Sequence, residues 1–371
     1  MKLINLPVAM ENIKKVIKLQ EQKLFKTTPI LQGLPGIGKT SFMNKLAKDL
    51  GFHLYNVSGA KPMEYFSGIP ITDRAISENN EVGRAIWTQP EMIGKANALS
   101  KTKPVILFID DIHLIGEASD YLFELLLEKS LNNHKLNDNV FIVGASNNSS
   151  LSGYEGFPAA IINRMMIIPV ELEFSTWYKN VGIGLNTYVT TFMKTHPEFI
   201  NEPENTSSPF GTYRSWTELA VLLNEMYKGL DNNGILEVTE DFSQSFVSNS
   251  STLAFKTSIL TQQKFNFESM LKSTKKIPKP KKGIVEQVIF SNVVKYCKSA
   301  KHFDKLKVLL EDTTKTDEYS SFTLNTVLEV ISLLDYTKKT EPKSKSIPLI
   351  EDLLVDISMN DKLSDTVLKY G

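Results

Sequence analysis

The segment Gly33-Leu34-Pro35-Gly36-Ile37-Gly38-Lys39-Thr40 constrains this chain more than any other. It fits G-x-x-x-x-G-K-[ST] at every fixed position. Before it, Thr28–Gln32 reads as a short buried strand; behind it, Ser41–Ala47 has helical periodicity. Strand, glycine-rich loop and helix in that order make a phosphate cradle. The glycines let the backbone curl so that successive N–H groups converge on phosphate oxygens at the positive end of the helix. The expected nucleotide-binding residues are therefore Gly33, Pro35, Gly36, Ile37, Gly38, Lys39, Thr40 and Ser41. Lys39 is expected to reach the β- and γ-phosphates of ATP, and the Thr40 hydroxyl to hold Mg²⁺.

A nucleotide site needs more than a cradle, and the sequence downstream offers candidates. Val105–Ile109 is a continuous apolar run, as a central parallel strand buried on both faces would be. It ends in Asp110-Asp111, and ligands of open α/β sheets bind at the carboxyl ends of such strands. Asp110 is expected in the Mg²⁺ shell and Asp111 as the carboxylate that polarises the attacking water. Asn147, after the next apolar strand (Val140–Ala145), is placed to position that water. An asparagine turn after a strand is the plainer alternative.

The basic residues divide unevenly: of 42, only Arg74, Arg84, Arg164 and Arg214 are arginine. Where lysine is the default cation, each arginine is a candidate for work that needs a planar, bidentate, permanently charged group. Arg164 stands between a short helix and the last strand, Met166–Val170, and Arg214 stands in Thr212-Tyr213-Arg214-Ser215-Trp216. The five histidines (His53, His113, His134, His196 and His302) lack metal-ligand spacing and read as packing or surface residues, although His113 lies two positions after Asp111.

Strands alternating with helices argue for a doubly wound parallel α/β sheet of the P-loop NTPase type. Helices are expected over 9–26 and 118–131, a second strand over Phe52–Val57, and an irregular insertion over 60–90. From about residue 172 the pattern turns helical. The expected organisation is an α/β nucleotide-binding domain over 1–171, an all-helical lid over 172–271, a basic, proline-bearing linker over 272–283, and a C-terminal helical region over 284–371. The 42 basic residues balance 42 acidic ones, so net charge makes no case for nucleic acid or membrane surfaces. The single cysteine, Cys297, excludes an internal disulfide and a Cys-based zinc site, and suits a reducing compartment. With no apolar run of about 18 residues, and no signal-peptide core at the N-terminus, the expectation is a cytoplasmic protein.

In order, the P-loop, Asp110-Asp111, Asn147, Arg164 and Arg214 resemble Walker A, Walker B, sensor 1, arginine finger and sensor 2 of AAA+ ATPases. More narrowly, the chain resembles the MoxR-like branch, especially versions encoded by phages and other mobile elements. Gly68-Ile69-Pro70 and Trp87-Thr88-Gln89-Pro90 are similar to that branch's insert, Asn163-Arg164 to its finger segment, and Thr212–Trp216 to its T-P-R-S-W signature, with Tyr213 in place of proline. The specific motifs cover residues 1 to about 260. The resemblance implies a ring, usually hexameric, with ATP at subunit interfaces. Arg164 would act on the neighbour's γ-phosphate and Arg214 in cis. It also implies remodelling of a protein partner, often alongside a von Willebrand factor A domain protein, in the cytoplasm (the host's, if phage-encoded). The branch has Asp-Glu where this chain has Asp110-Asp111. The Asp-Asp pair is shared with replication initiators and helicase loaders, which keeps a DNA-linked role as an alternative, supported also by the lysine-rich 275–282. A nucleotide-dependent switch with little turnover is a third.

Overall fold

Four mostly apolar stretches (Thr28–Gln32, Val105–Asp110, Val140–Ser146 and Met165–Glu171) and the more polar His53–Ser58, each of five to seven residues, are too short for buried helices and pair in one sheet. The computed structural model describes residues 2–72, 85–147, 159–202, 208–263 and 342–358, with isolated positions between 302 and 338. It divides into two compact units, Met1–Glu173 and Phe174–Gly371.

The first unit runs β1 (Ile4–Asn5), α1 (Leu6–Glu21), β2 (Thr28–Gln32), α2 (Lys39–Leu50), β3 (His53–Ser58), α3 (Met63–Ser67), β4 (Pro70–Thr72), β5 (Ala85–Trp87), α4 (Glu91–Ser100), β6 (Val105–Asp110), a 3₁₀ segment (Ile112–Ala118), α5 (Ser119–Glu128), β7 (Ser130–Leu131), β8 (His134–Lys135), β9 (Val140–Ser146), α6 (Ala159–Ile162) and β10 (Met165–Glu171). Six strands form one parallel sheet in the order β1-β10-β2-β9-β6-β3. The chain leaves β2 for the far edge, returns through β6 and β9, then passes β2 to reach β10, so strand order reverses beside β2. Such a reversal opens a crevice at the carboxyl ends of the strands. Register brings those ends level there, pairing Gln32 with Ser146 and Ser58 with Asp110. Every residue of β9 is buried, as is all of β6 except half-buried Asp110.

Four expectations change. α1 begins at Leu6, with Pro7 in its first turn, and stops at Glu21 because Lys23 adopts a left-handed backbone (φ 58°). Leu24, inside the helix expected over 9–26, is 73% exposed. α5 ends at Glu128, and Ser130-Leu131, expected to end it, instead form β7 of a β7–β8 hairpin. Asn132 and Asn133 turn that hairpin through positive φ, and the Glu124 carboxylate accepts hydrogen bonds from Ser130 Oγ and the Asn132 N–H. The insertion is not wholly irregular: α3 and the β4–β5 ribbon lie in it, with Ile71 opposite Ile86. The polar Ser77–Glu81 segment lies outside the described residues. The second strand begins at His53 and runs through Ser58, one residue later than expected.

The second unit is helical in its described residues. α7 (Phe174–Trp177) runs into a π-turn (Tyr178–Gly182). α8 (Thr187–Thr195), a 3₁₀ turn (Pro197–Phe199), α9 (Tyr213–Met226), α10 (Asn232–Ser243), α11 (Asn249–Gln263) and α12 (Ser346–Ser358) follow. Its core centres on fully buried Trp216, with the Phe192 and Phe255 rings at 5.0 and 5.5 Å. The linker 272–283 and most of 284–336 lie outside the described residues. Among the described residues no helix is long and apolar enough to cross a membrane.

Candidate nucleotide site

The loop between β2 and α2 turns on left-handed glycines, Gly36 (φ 74°) and Gly38 (φ 92°), a conformation that residues with a Cβ adopt at a cost. Gly33 serves a different need: a Cβ there would lie 2.6 Å from the Val170 carbonyl oxygen of β10. Buried Ile37 anchors the loop from beneath, and Ser41 lies exposed in the first turn of α2. That first turn leaves N–H groups without intrahelical partners, at the positive end of the helix dipole.

Lys39 is 7% exposed, and a buried ammonium needs acceptors for its three protons. Nζ donates to the carbonyl oxygens of Gly33 (2.9 Å) and Leu34 (3.0 Å) and to Asn147 Oδ1 (3.1 Å). Thr40 Oγ1 donates to Asp110 Oδ2 at 2.6 Å. Asn147 Nδ2 donates to Asp111 Oδ1 at 3.3 Å. The Asn147 amide therefore bridges the lysine of the loop and the second carboxylate of β6. Lys39, Thr40, Asp110, Asp111 and Asn147, spread over more than a hundred positions of sequence, form one hydrogen-bonded cluster at the carboxyl edge of the sheet.

Arg164 is not part of this cluster. Its carbonyl accepts from the Thr28 N–H at the amino end of β2, and the next residue, Met165, pairs with Thr28. The loop begins beyond Gln32, four strand residues further on, at least about 13 Å away and beyond an arginine's reach. Arg214 belongs to the second unit and is exposed in the first turn of α9. There a cation opposes the helix dipole, at a cost of about 0.3–1 kcal/mol. Helix stability is therefore no reason for an arginine at that position. The turn itself is secured by a capping box, with Thr212 Oγ1 accepting from the Ser215 N–H and Ser215 Oγ from the Thr212 N–H.

Two neighbours of the cluster are barely legible in the sequence. Buried His113 sets Nδ1 3.4 Å from Ser146 Oγ, and that hydroxyl donates to the Asn147 carbonyl. Its place after Asp111 is the one sequence hint. Gly59 donates its N–H to the Asp110 carbonyl at 2.7 Å; a glycine just past a strand end is its only signal.

With this geometry in view, residues 29–172 match the model of the ATPase family associated with various cellular activities (AAA). The matched segment, less than half of the chain, resembles an AAA domain. It takes in the loop, both carboxylates, Asn147 and Arg164, and it ends before Arg214. The match stops well short of the roughly 260 residues over which the motifs resemble the family. No curated protein matches the chain. Among solved structures, the RuvB Holliday junction branch migration motor of Thermotoga maritima is similar at 14% identity and TM-score 0.38, over 72% of this chain and 74% of that one. A mutant of the same protein is similar at 16% identity and TM-score 0.41, over 73% and 76%.

Proposed function

We propose that this protein hydrolyses ATP at the interfaces of a ring of its own copies and uses the cycle to remodel a protein partner, as a MoxR-like ATPase. The observation that carries the reading is the hydrogen-bonded cluster: Thr40 on Asp110, and Asn147 between Lys39 and Asp111. Its members are the groups phosphoryl transfer needs, and they meet where the AAA domain opens its crevice.

Lys39 is poised to exchange backbone carbonyls for β- and γ-phosphate oxygens. Asp111 accepts the proton of the attacking water, and Asn147 orients that water from the end of the neighbouring strand β9. Thr40 and Asp110 are hard oxygen donors 2.6 Å apart, a fit for the one or two protein ligands that Mg²⁺ takes beside phosphates and waters. Bound there, Mg²⁺ would neutralise charge on the β- and γ-phosphate oxygens. Among the described residues no group of three or more His, Cys, Asp or Glu is gathered to hold a metal.

Arg164, remote from its own loop, is assigned to the γ-phosphate of a neighbouring copy, and Arg214 to the chain's own nucleotide from a lid over 172–271. A hexamer, a von Willebrand factor A domain partner and phage or mobile-element origin complete the MoxR-like reading. Residues 284–371 remain for assembly or partner binding.

Steady-state ATP hydrolysis by the purified chain, measured against Lys39→Ala, tests the enzyme claim. Turnover equal to that control would sink it and leave a nucleotide-dependent switch. Asp111→Asn is expected to bind ATP and retain it uncleaved, with turnover down at least about 100-fold; native turnover in that variant removes Asp111 from water activation.

A further inference from the structure

Successive side chains of a strand point to opposite faces of the sheet. Asp110, the last residue of β6, turns its carboxylate to Thr40. Continued as a strand, Asp111 would carry its carboxylate to the other face. It does not, because the backbone at Asp111 is left-handed, with φ 51°. An L-residue pays about 1–2 kcal/mol for that conformation, aspartate less than most. The turn ends the alternation and leaves both carboxylates in the same cluster, with Asp111 Oδ1 accepting from Asn147 Nδ2.

The displaced Asp111 carbonyl occupies the space in which Gly59 would carry a side chain. A Cβ at position 59 would lie 2.2 Å from the Asp111 carbonyl oxygen and 2.9 Å from its carbon. Real Cβ atoms essentially never come within 3.0 Å of such a neighbour. The same carbonyl accepts the Leu114 N–H at 2.9 Å, and the Gly59 N–H holds the Asp110 carbonyl at 2.7 Å. The Asp110-Asp111 backbone is thereby clamped between the end of β3 and the 3₁₀ segment.

We infer that Gly59 is a positioning residue for the Asp111 carboxylate: it admits the left-handed turn that brings a short side chain to the attacking water. The inference rests on the water-activating role proposed for Asp111. Aspartate is one C–C bond, about 1.5 Å, shorter than glutamate. With a short carboxylate the side chain has little slack, so its reach is set by the backbone, and the backbone by the missing Cβ at 59.

Gly59→Ala forces the Asp111 carbonyl back by the better part of an ångström. Misplacement on that scale is expected to lower kcat about 10- to 100-fold, with ATP affinity and KM unchanged. Adding Asp111→Glu restores reach and recovers part of the lost kcat. Asp111→Glu alone overshoots in the native backbone and lowers kcat. A merely structural role for Gly59 would not produce that reversal. Native kcat in Gly59→Ala, or no gain from the added glutamate, overturns the inference. If Gly59→Ala does not fold, Asp111→Glu alone decides, and an unchanged or raised kcat overturns it. Asp111→Asn separates the two layers. Native turnover there sinks the role of Asp111 itself, whereas an inactive Asp111→Asn beside a fully active Gly59→Ala sinks only the role of Gly59.

Discussion

His113 is 5% exposed beside a cluster that holds an ammonium and two carboxylates. Burial pushes its imidazole below the ordinary value of 6.5; the Lys39 ammonium adds to that, while the Asp111 and Asp110 carboxylates pull the other way. The folded protein thus resists a proton that the unfolded chain accepts. Stability linked to His113 is fully present above about pH 6.5 and is lost as pH falls through the lowered folded value. Thermal unfolding is expected to fall less steeply from about pH 7 to about pH 5 in His113→Gln than in the native chain; parallel curves remove His113 from that dependence. At this scale the sequence was informative wherever chemistry is spelled in order: Gly33 to Thr40, Asp110-Asp111 and Asn147 stand together as their spacing suggested. Gly59 and His113 were barely legible, because their importance arises from which strand end lies beside which. Nothing in the residues around Gly59 announces that Ser58 pairs with Asp110.

Between residues and the whole, the elements legible from sequence were those whose burial leaves a periodic trace. β6 and β9 are apolar up to their last residue because the parallel sheet is covered on both faces. Two- and three-residue strands leave no such trace, which is why the β4–β5 ribbon and β7–β8 hairpin read as loop or as helix. In the second unit, Glu202 is a comparable feature without period. Its carboxylate accepts from Ser248 Oγ (2.6 Å), Ser251 Oγ (2.8 Å) and the Gly211 N–H, tying the start of α11 to the residue before the α9 cap. Bonds to a charged acceptor are worth about 1.5–3 kcal/mol. Glu202→Ala is therefore expected to cost about 2–3 kcal/mol in denaturant unfolding. A loss within about 0.5 kcal/mol, as at ordinary surface positions, would mean that the tie carries no stability.

For the whole molecule the decisive separation is between the two ends of one sheet, with the loop at the carboxyl end of β2 and Arg164 beside its amino end. Arg164→Ala is expected to retain ATP affinity while losing about 10³-fold or more in turnover, the scale of an arginine finger. Mixed with Lys39→Ala it should recover part of that rate, each variant supplying what the other lacks. Absence of recovery at every mixing ratio would mean that Arg164 does not serve a neighbour or that copies do not exchange. On this reading a single chain holds half a reaction centre, and protein concentration enters the rate law as a reactant. Specific activity should then rise with concentration until assembly saturates, and fall on dilution without any loss of fold. On the same reading a cell sets the activity of this protein by how much of it is made, through the length of five strand residues.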